Sequence, residues 1–109
     1  MNVRMEISGT AVTAFLSGEI DHHNATTIRE AVDEYVSFRQ PDTLVLDFAD
    51  VTFMDSSGIG LVMGRYRLIE GKNCKLYIVN LSEHAYRVMQ LAGLEKIAVL
   101  KKKTRESVK

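Results

Sequence analysis

Val51-Thr52-Phe53-Met54-Asp55-Ser56-Ser57-Gly58-Ile59-Gly60 lies between two runs of different periodicity near the middle of the chain. Before it runs Leu44-Val45-Leu46-Asp47-Phe48, an apolar, β-branched run of the length of a buried strand. After it, Ile59, Val62, Met63, Tyr66 and Ile69 recur at helical spacing. The stretch therefore reads as a strand-loop-helix junction. It sets two hydroxyls, a carboxylate and a glycine at the start of a helix. The first turn of a helix leaves backbone N–H groups unpaired and carries partial positive charge. Ser56 or Ser57 can cap those donors, or a serine there can carry a phosphate that the same donors welcome. The local pattern leaves both readings open.

The helix after the junction has two lines. Taking Ile59, Val62, Met63, Tyr66 and Ile69 as the inward stripe, Ser57, Leu61, Gly64 and Leu68 fall on the opposite side. A solvated face would carry Lys or Glu there. This line holds two leucines and an interior glycine that costs about 1 kcal/mol relative to Ala. It is expected either to dock another protein or to lie under a neighbouring helix.

Working outward toward the N-terminus, Val3, Met5 and Ile7 alternate with polar residues as in a half-buried strand. Gly9-Thr10 is a tight turn, and Ala11 to Ser17 is a second strand, which makes a hairpin. Gly18 is expected to break that strand. Gly18-Glu19-Ile20-Asp21-His22-His23-Asn24 then forms a polar loop in which Asp21 or Asn24 caps a helix over residues 25 to 39. Ala25, Ile28, Val32 and Tyr35 form its inward stripe, and Pro41 ends the segment.

Toward the C-terminus, the central helix is expected to stop near Gly71. Lys75 to Val79 is a strand. Ser82 caps a third helix with Ala85, Val88, Met89 and Ala92 inward, ended by Gly93. Ile97 to Leu100 is the last strand, Lys101-Lys102-Lys103 its solvated end, and Thr104 can cap a short final helix. Strand-helix alternation after the hairpin implies parallel strands joined by crossovers. The expected fold is a single small α/β domain over residues 1–109, with a mixed sheet (N-terminal hairpin plus parallel strands) and three to four helices. The Gly18–Asn24 loop and the Asp55–Gly60 junction both follow strands of the parallel set and belong on one rim, where ligands of α/β sheets collect.

Composition narrows the function. The 109 residues carry 14 basic and 14 acidic side chains and a formal net charge of zero, which gives no global field for nucleic acid or anionic lipid. No apolar run approaches the ~20 residues of a membrane span. The N-terminus holds Arg4 and Glu6, unlike a signal peptide. A lone Cys74 excludes an internal disulfide and reads as a structural thiol. A cytoplasmic protein, monomeric when free, is expected. Adjacent His22 and His23 have poor spacing for a shared metal, so no metal site is expected. The glycines of Gly58-Ile59-Gly60-Leu61-Val62-Met63-Gly64 run G-x-G-x-x-x-G and miss the dinucleotide fingerprint. Asp55 stands where a serine hydrolase motif needs glycine. Neither nucleotide chemistry nor hydrolysis is favoured.

Phe53-Met54-Asp55-Ser56-Ser57-Gly58-Ile59-Gly60, followed by Gly64-Arg65-Tyr66, together with Gly18-Glu19-Ile20-Asp21-His22-His23 and Leu91-Ala92-Gly93-Leu94, resembles the anti-sigma factor antagonists of the STAS fold. The pattern is most similar to the branch acting on the anti-sigma F factor in the sporulation of endospore-forming bacteria. The resemblance covers about residues 3 to 100. It implies a binding module, not an enzyme, with no cofactor of its own. Its unphosphorylated form binds an anti-sigma factor that is also a serine kinase, which frees the sigma factor. ATP, ADP and Mg belong to that kinase. Ser57 is the implied phosphoacceptor, and a PP2C-type phosphatase removes the phosphate. Asp21, in the matching loop, would face the kinase, with His22 and His23 beside it. Asp55, Ser56, Gly58, Ile59 and Gly60 surround the acceptor. The resemblance tilts Leu61, Gly64 and Leu68 toward a partner surface. A stress-response antagonist of the same fold, acting on another sigma factor, or a signalling scaffold is the alternative. Such proteins usually carry a complete last helix, for which little chain remains here.

Overall fold

The computed structural model describes residues 2–104. Five strands form one sheet in sequential order: β1 (Val3–Ser8), β2 (Ala11–Ile20), β3 (Thr43–Met54), β4 (Lys75–Leu81) and β5 (Val99–Lys102). The first pair is antiparallel and every later pair is parallel. Three α-helices, α1 (His22–Arg39), α2 (Ser57–Ile69) and α3 (Glu83–Leu91), connect the parallel strands, and a 3₁₀ turn, Leu94–Lys96, precedes β5. This is the mixed sheet expected from the hairpin and the strand-helix alternation. The proposed helix after Thr104 falls outside the described residues.

Register places the core. Val12, Leu44 and Leu76 pair across β2, β3 and β4, as do Ala14, Leu46 and Ile78, and all six are buried. Because side chains alternate along a strand, these rows line one face. Ile28, Val32 and Val36 of α1, Val62 and Ile69 of α2, and Ala85 and Met89 of α3 are buried in the same cluster. The opposite face, including Thr13, Val45 and Tyr77, is half-buried.

Several boundaries differ from expectation, each for a local reason. Gly18 does not end β2. It takes φ +76° at a register shift against β3, so it acts as a bulge that lets the strand continue to Ile20. That extension pairs Ile20 with Met54 and prolongs β3 well past Phe48, so Val51 to Met54 is strand and not loop. α1 begins at His22, and both histidines sit in its first turn. Ala92 is exposed as the cap of α3, and Val88 is half-buried. Ile97 and Ala98 follow the 3₁₀ turn, and β5 starts at Val99, so the lysines belong partly to the strand. Lys102 pairs with Glu83 at 3.4 Å and lies over the Tyr86 ring. Cys74 is half-buried, and desolvation, reinforced by Asp42, pushes its thiol up.

Candidate functional site

The rim forms because β2 and β3 end side by side. The Asp55 amide donates to the Ile20 carbonyl at 3.2 Å, which ties the two exits together. Each exit then turns at once into a helix. After β2, the Asp21 carboxylate accepts from the Asn24 amide at 2.8 Å and caps α1, while the Asn24 side chain donates to the Glu19 carbonyl at 3.0 Å. After β3, the Asp55 carboxylate accepts from the Ser57 amide at 2.8 Å. The Asp55 carbonyl accepts from Gly58, and the Ser56 carbonyl from Ile59.

The capping role expected of Ser56 or Ser57 thus falls to Asp55. Ser56 occupies the cap position with helical backbone, φ −62° and ψ −15°, and its side chain makes no capping bond. Once the carboxylate has taken the exposed donor, the hydroxyls have no structural duty there. Ser57 is half-buried, and its hydroxyl has no hydrogen bond among the described residues. Gly58 is buried against Met54. A Cβ added there would run into Cγ and Sδ of that side chain, so glycine lets the turn close without displacing Met54.

The orientation of α2 corrects the expected outer line. Its buried residues are Gly58, Leu61, Val62, Arg65 and Ile69. Leu61 is only 4% exposed and belongs to the core, and Leu68 is half-buried against it. Met63, expected inward, is 39% exposed. The open line of the helix is instead Ser56, Gly60, Met63 and Arg67. The reason is α1, which packs beside α2 and covers a second flank. Of the two alternatives for Leu61, the neighbouring helix is what covers it. Phe53, 52% exposed at the end of β3, adds an apolar side chain to the rim.

The contact between α1 and α2 includes a buried ion pair that periodicity did not reveal. Arg65 is 5% exposed. Its Nε lies 2.7 Å from Asp33 Oδ1, poorly aligned for a hydrogen bond, while Nη2 donates to Oδ2 at 3.3 Å and Nη1 to the Leu61 carbonyl at 3.4 Å. Burial pushes the Arg65 guanidinium down, Asp33 opposes this, and the nearby Arg29 adds to it. The signal available in the sequence was an Arg three residues after Val62, on a side of α2 whose other buried residues are Gly58, Leu61, Val62 and Ile69.

Above this pair the two helices leave a groove of about 350 Å³ lined by His22, Ala25, Thr26, Arg29, Ser57, Gly60, Leu61, Gly64 and Arg65. It brings together Ser57, His22, Gly60, Leu61 and Gly64 of the expected site. Gly60 and Gly64 have open space where a Cβ would be. His23 is exposed in the same first turn as His22 but does not line the groove, and neither does Leu68. Ile59 is half-buried against the core. No group of three or more His, Cys, Asp or Glu able to hold a metal occurs among the described residues. No helix among them is long and apolar enough to cross a membrane.

Residues 2–109 match the STAS domain, and the chain belongs to that family. Among its relatives, an anti-sigma F factor antagonist of Paenibacillus polymyxa is 35% identical over 97 residues, covering 89% of this chain and 83% of that protein. An anti-sigma-B factor antagonist of Listeria monocytogenes is 29% identical over 104 residues, covering 93% of this chain and 90% of the relative. The solved structure of the anti-sigma factor antagonist SpoIIAA in its unphosphorylated form is similar with a TM-score of 0.79 and 30% identity, covering 97% of this chain and 92% of that one.

Proposed function

We propose that this chain is an anti-sigma factor antagonist whose partner is an anti-sigma F factor with serine kinase activity, and that phosphorylation of Ser57 switches it off. The observation that carries the reading is the division of labour at the start of α2. Asp55 caps the helix, so Ser57 keeps its hydroxyl for chemistry on the rim shared with Asp21 and His22. The 35% identical relative named for anti-sigma F supports the branch. Exposed Phe53, Gly60 and Met63 supply an apolar contact surface beside the serine.

In this reading the unmodified rim binds the anti-sigma factor in the cytoplasm and frees its sigma factor. The free antagonist is a monomer. The kinase aligns its own ATP with the rim. Ser57 Oγ attacks the γ-phosphorus, the bond to ADP breaks, and the hydroxyl proton passes to a base of the kinase. The phosphoserine brings about −1.5 to −2 charges into the interface. A partner surface shaped for a neutral hydroxyl must then desolvate that charge, and binding is lost. A PP2C-type phosphatase restores the hydroxyl by hydrolysis. The chain itself supplies no catalytic group.

Ser57→Asp tests this. It should bind the ADP-loaded anti-sigma factor at least about 100-fold more weakly than wild type, ~2.8 kcal/mol, with a melting temperature within a few degrees. Wild-type affinity for Ser57→Asp would overturn the charge mechanism. Parallel titration against an anti-sigma-B factor addresses the second reading, which the 29% identical Listeria relative favours. The tighter complex identifies the branch.

A further inference from the structure

The groove beside Ser57 has an uneven charge distribution. Two arginines line it, Arg29 from α1 and Arg65 from α2. Arg65 is neutralised by Asp33. Arg29 is exposed and makes no ion pair among the described residues. Asp21 accepts the Asn24 amide and Asp55 accepts the Ser57 amide, and neither lines the groove. The open space at Gly60 and Gly64 leaves room on the α2 side for a group larger than a hydroxyl. Arg29 and Ser57 thus line one groove whose lining residues include no carboxylate.

We propose that Arg29 is a phosphate-anchoring residue, which takes the phosphoryl group of Ser57 into the α1–α2 groove within the same molecule. This rests on the reading of Ser57 as phosphoacceptor and adds how the modified form is held. A guanidinium offers a planar fork of donors that matches phosphate oxygens, and Arg29 has no ion-pair partner among the described residues. Arg65 is a poorer candidate, because it is buried and its charge is already opposed by Asp33. With the phosphate seated, part of the groove is occupied and the first turn of α2 is bridged to the second turn of α1. The switch then changes the shape of the rim as well as its charge.

The test needs no kinase. Phosphoserine is installed at position 57 during translation, and the phosphate is titrated by phosphorus NMR. The charged and titratable groups around it are Asp21, His22, Arg29 and Asp33 on the α1 side, Asp55 in the loop and Arg65 on α2. The second phosphate pKa, about 6 when unperturbed, is expected below that value in wild type. Arg29→Gln should raise it by about one pH unit, and Arg29→Lys should restore most of the difference. Arg39→Gln, at the other end of α1, should leave it unchanged. Repeating the series with His22→Gln keeps the titration of the imidazole from being read as that of the phosphate. A phosphate that titrates as it does in urea, or one indifferent to Arg29→Gln, would overturn the anchor and leave the switch intact. A kinase that does not modify Ser57 would count against the acceptor and leave this titration as it stands.

Discussion

Two helices of this molecule begin at serines and use them differently. At α3, Ser82 has extended backbone, and its hydroxyl accepts from the Ala85 amide at 3.1 Å. At α2, two serines are present and a carboxylate one step earlier does the capping. The manner of attachment differs as well. α3 buries Ala85 and Met89, and its ion pair, Glu83 with Lys102, is exposed. α2 buries a guanidinium against α1. The first helix start is ordinary structure. The second keeps a hydroxyl out of structural use and fixes its surroundings by other means, as a site needs when its serine is to be modified without unfolding the helix.

The largest effect should come from the buried charge. Asp33→Asn leaves Arg65 uncompensated in the α1–α2 contact. It should lower unfolding free energy by about 3 kcal/mol, the low end for a broken buried pair because Asp33 is partly exposed. Glu83→Gln, the counterpart on α3, should change stability by less than about 1 kcal/mol. Urea unfolding of both variants checks the contrast, and equal losses would remove the distinction between the two attachments.

A smaller contrast lies within α2. Gly58→Ala should cost about 1–3 kcal/mol, because the new methyl meets Met54 and forces it aside. Gly60→Ala and Gly64→Ala meet open space and should gain up to about 1 kcal/mol from helix propensity. If all three glycines behaved alike, the tight turn at Met54 would not be what selects Gly58.

The caps give the smallest effects and the sharpest comparison. Ser82→Ala and Asp55→Ala should each lose about 1 kcal/mol. Ser56→Ala should stay within about 0.5 kcal/mol of wild type. A Ser56→Ala loss as large as that of Ser82→Ala would mean that the α2 serine caps after all.

Much of this could be read from the chain. Alternation at Val3, Met5 and Ile7, the Gly9-Thr10 turn and the apolar runs at Leu44 and Leu76 are local signals, and the sheet follows them. Asp21 and Ser82 cap as their residue types predict. The rotation of α2 was not legible. Its buried side includes Gly58 and Arg65, and a count of apolar residues credits neither. The glycine is buried because Met54 crosses it, and the arginine because Asp33, 32 residues earlier, meets it. Both causes are tertiary. The length of β3 was hidden in the same way, since its second half is strand because β2 bulges at Gly18 and runs beside it. Asp55, Ser56 and Ser57 could all cap a helix, and only the backbone at Ser56 shows which of them does. Arg29 lies outside the apolar stripe of α1, and only the placement of α2 brings it to one groove with Ser57.

The most direct test of the central claim is intact mass with site mapping after incubation with the cognate anti-sigma kinase and ATP. The expected result is one added phosphate on wild type, located at Ser57 and absent from Ser57→Ala. A phosphate on Ser56, or none from a kinase shown to be active, would contradict it.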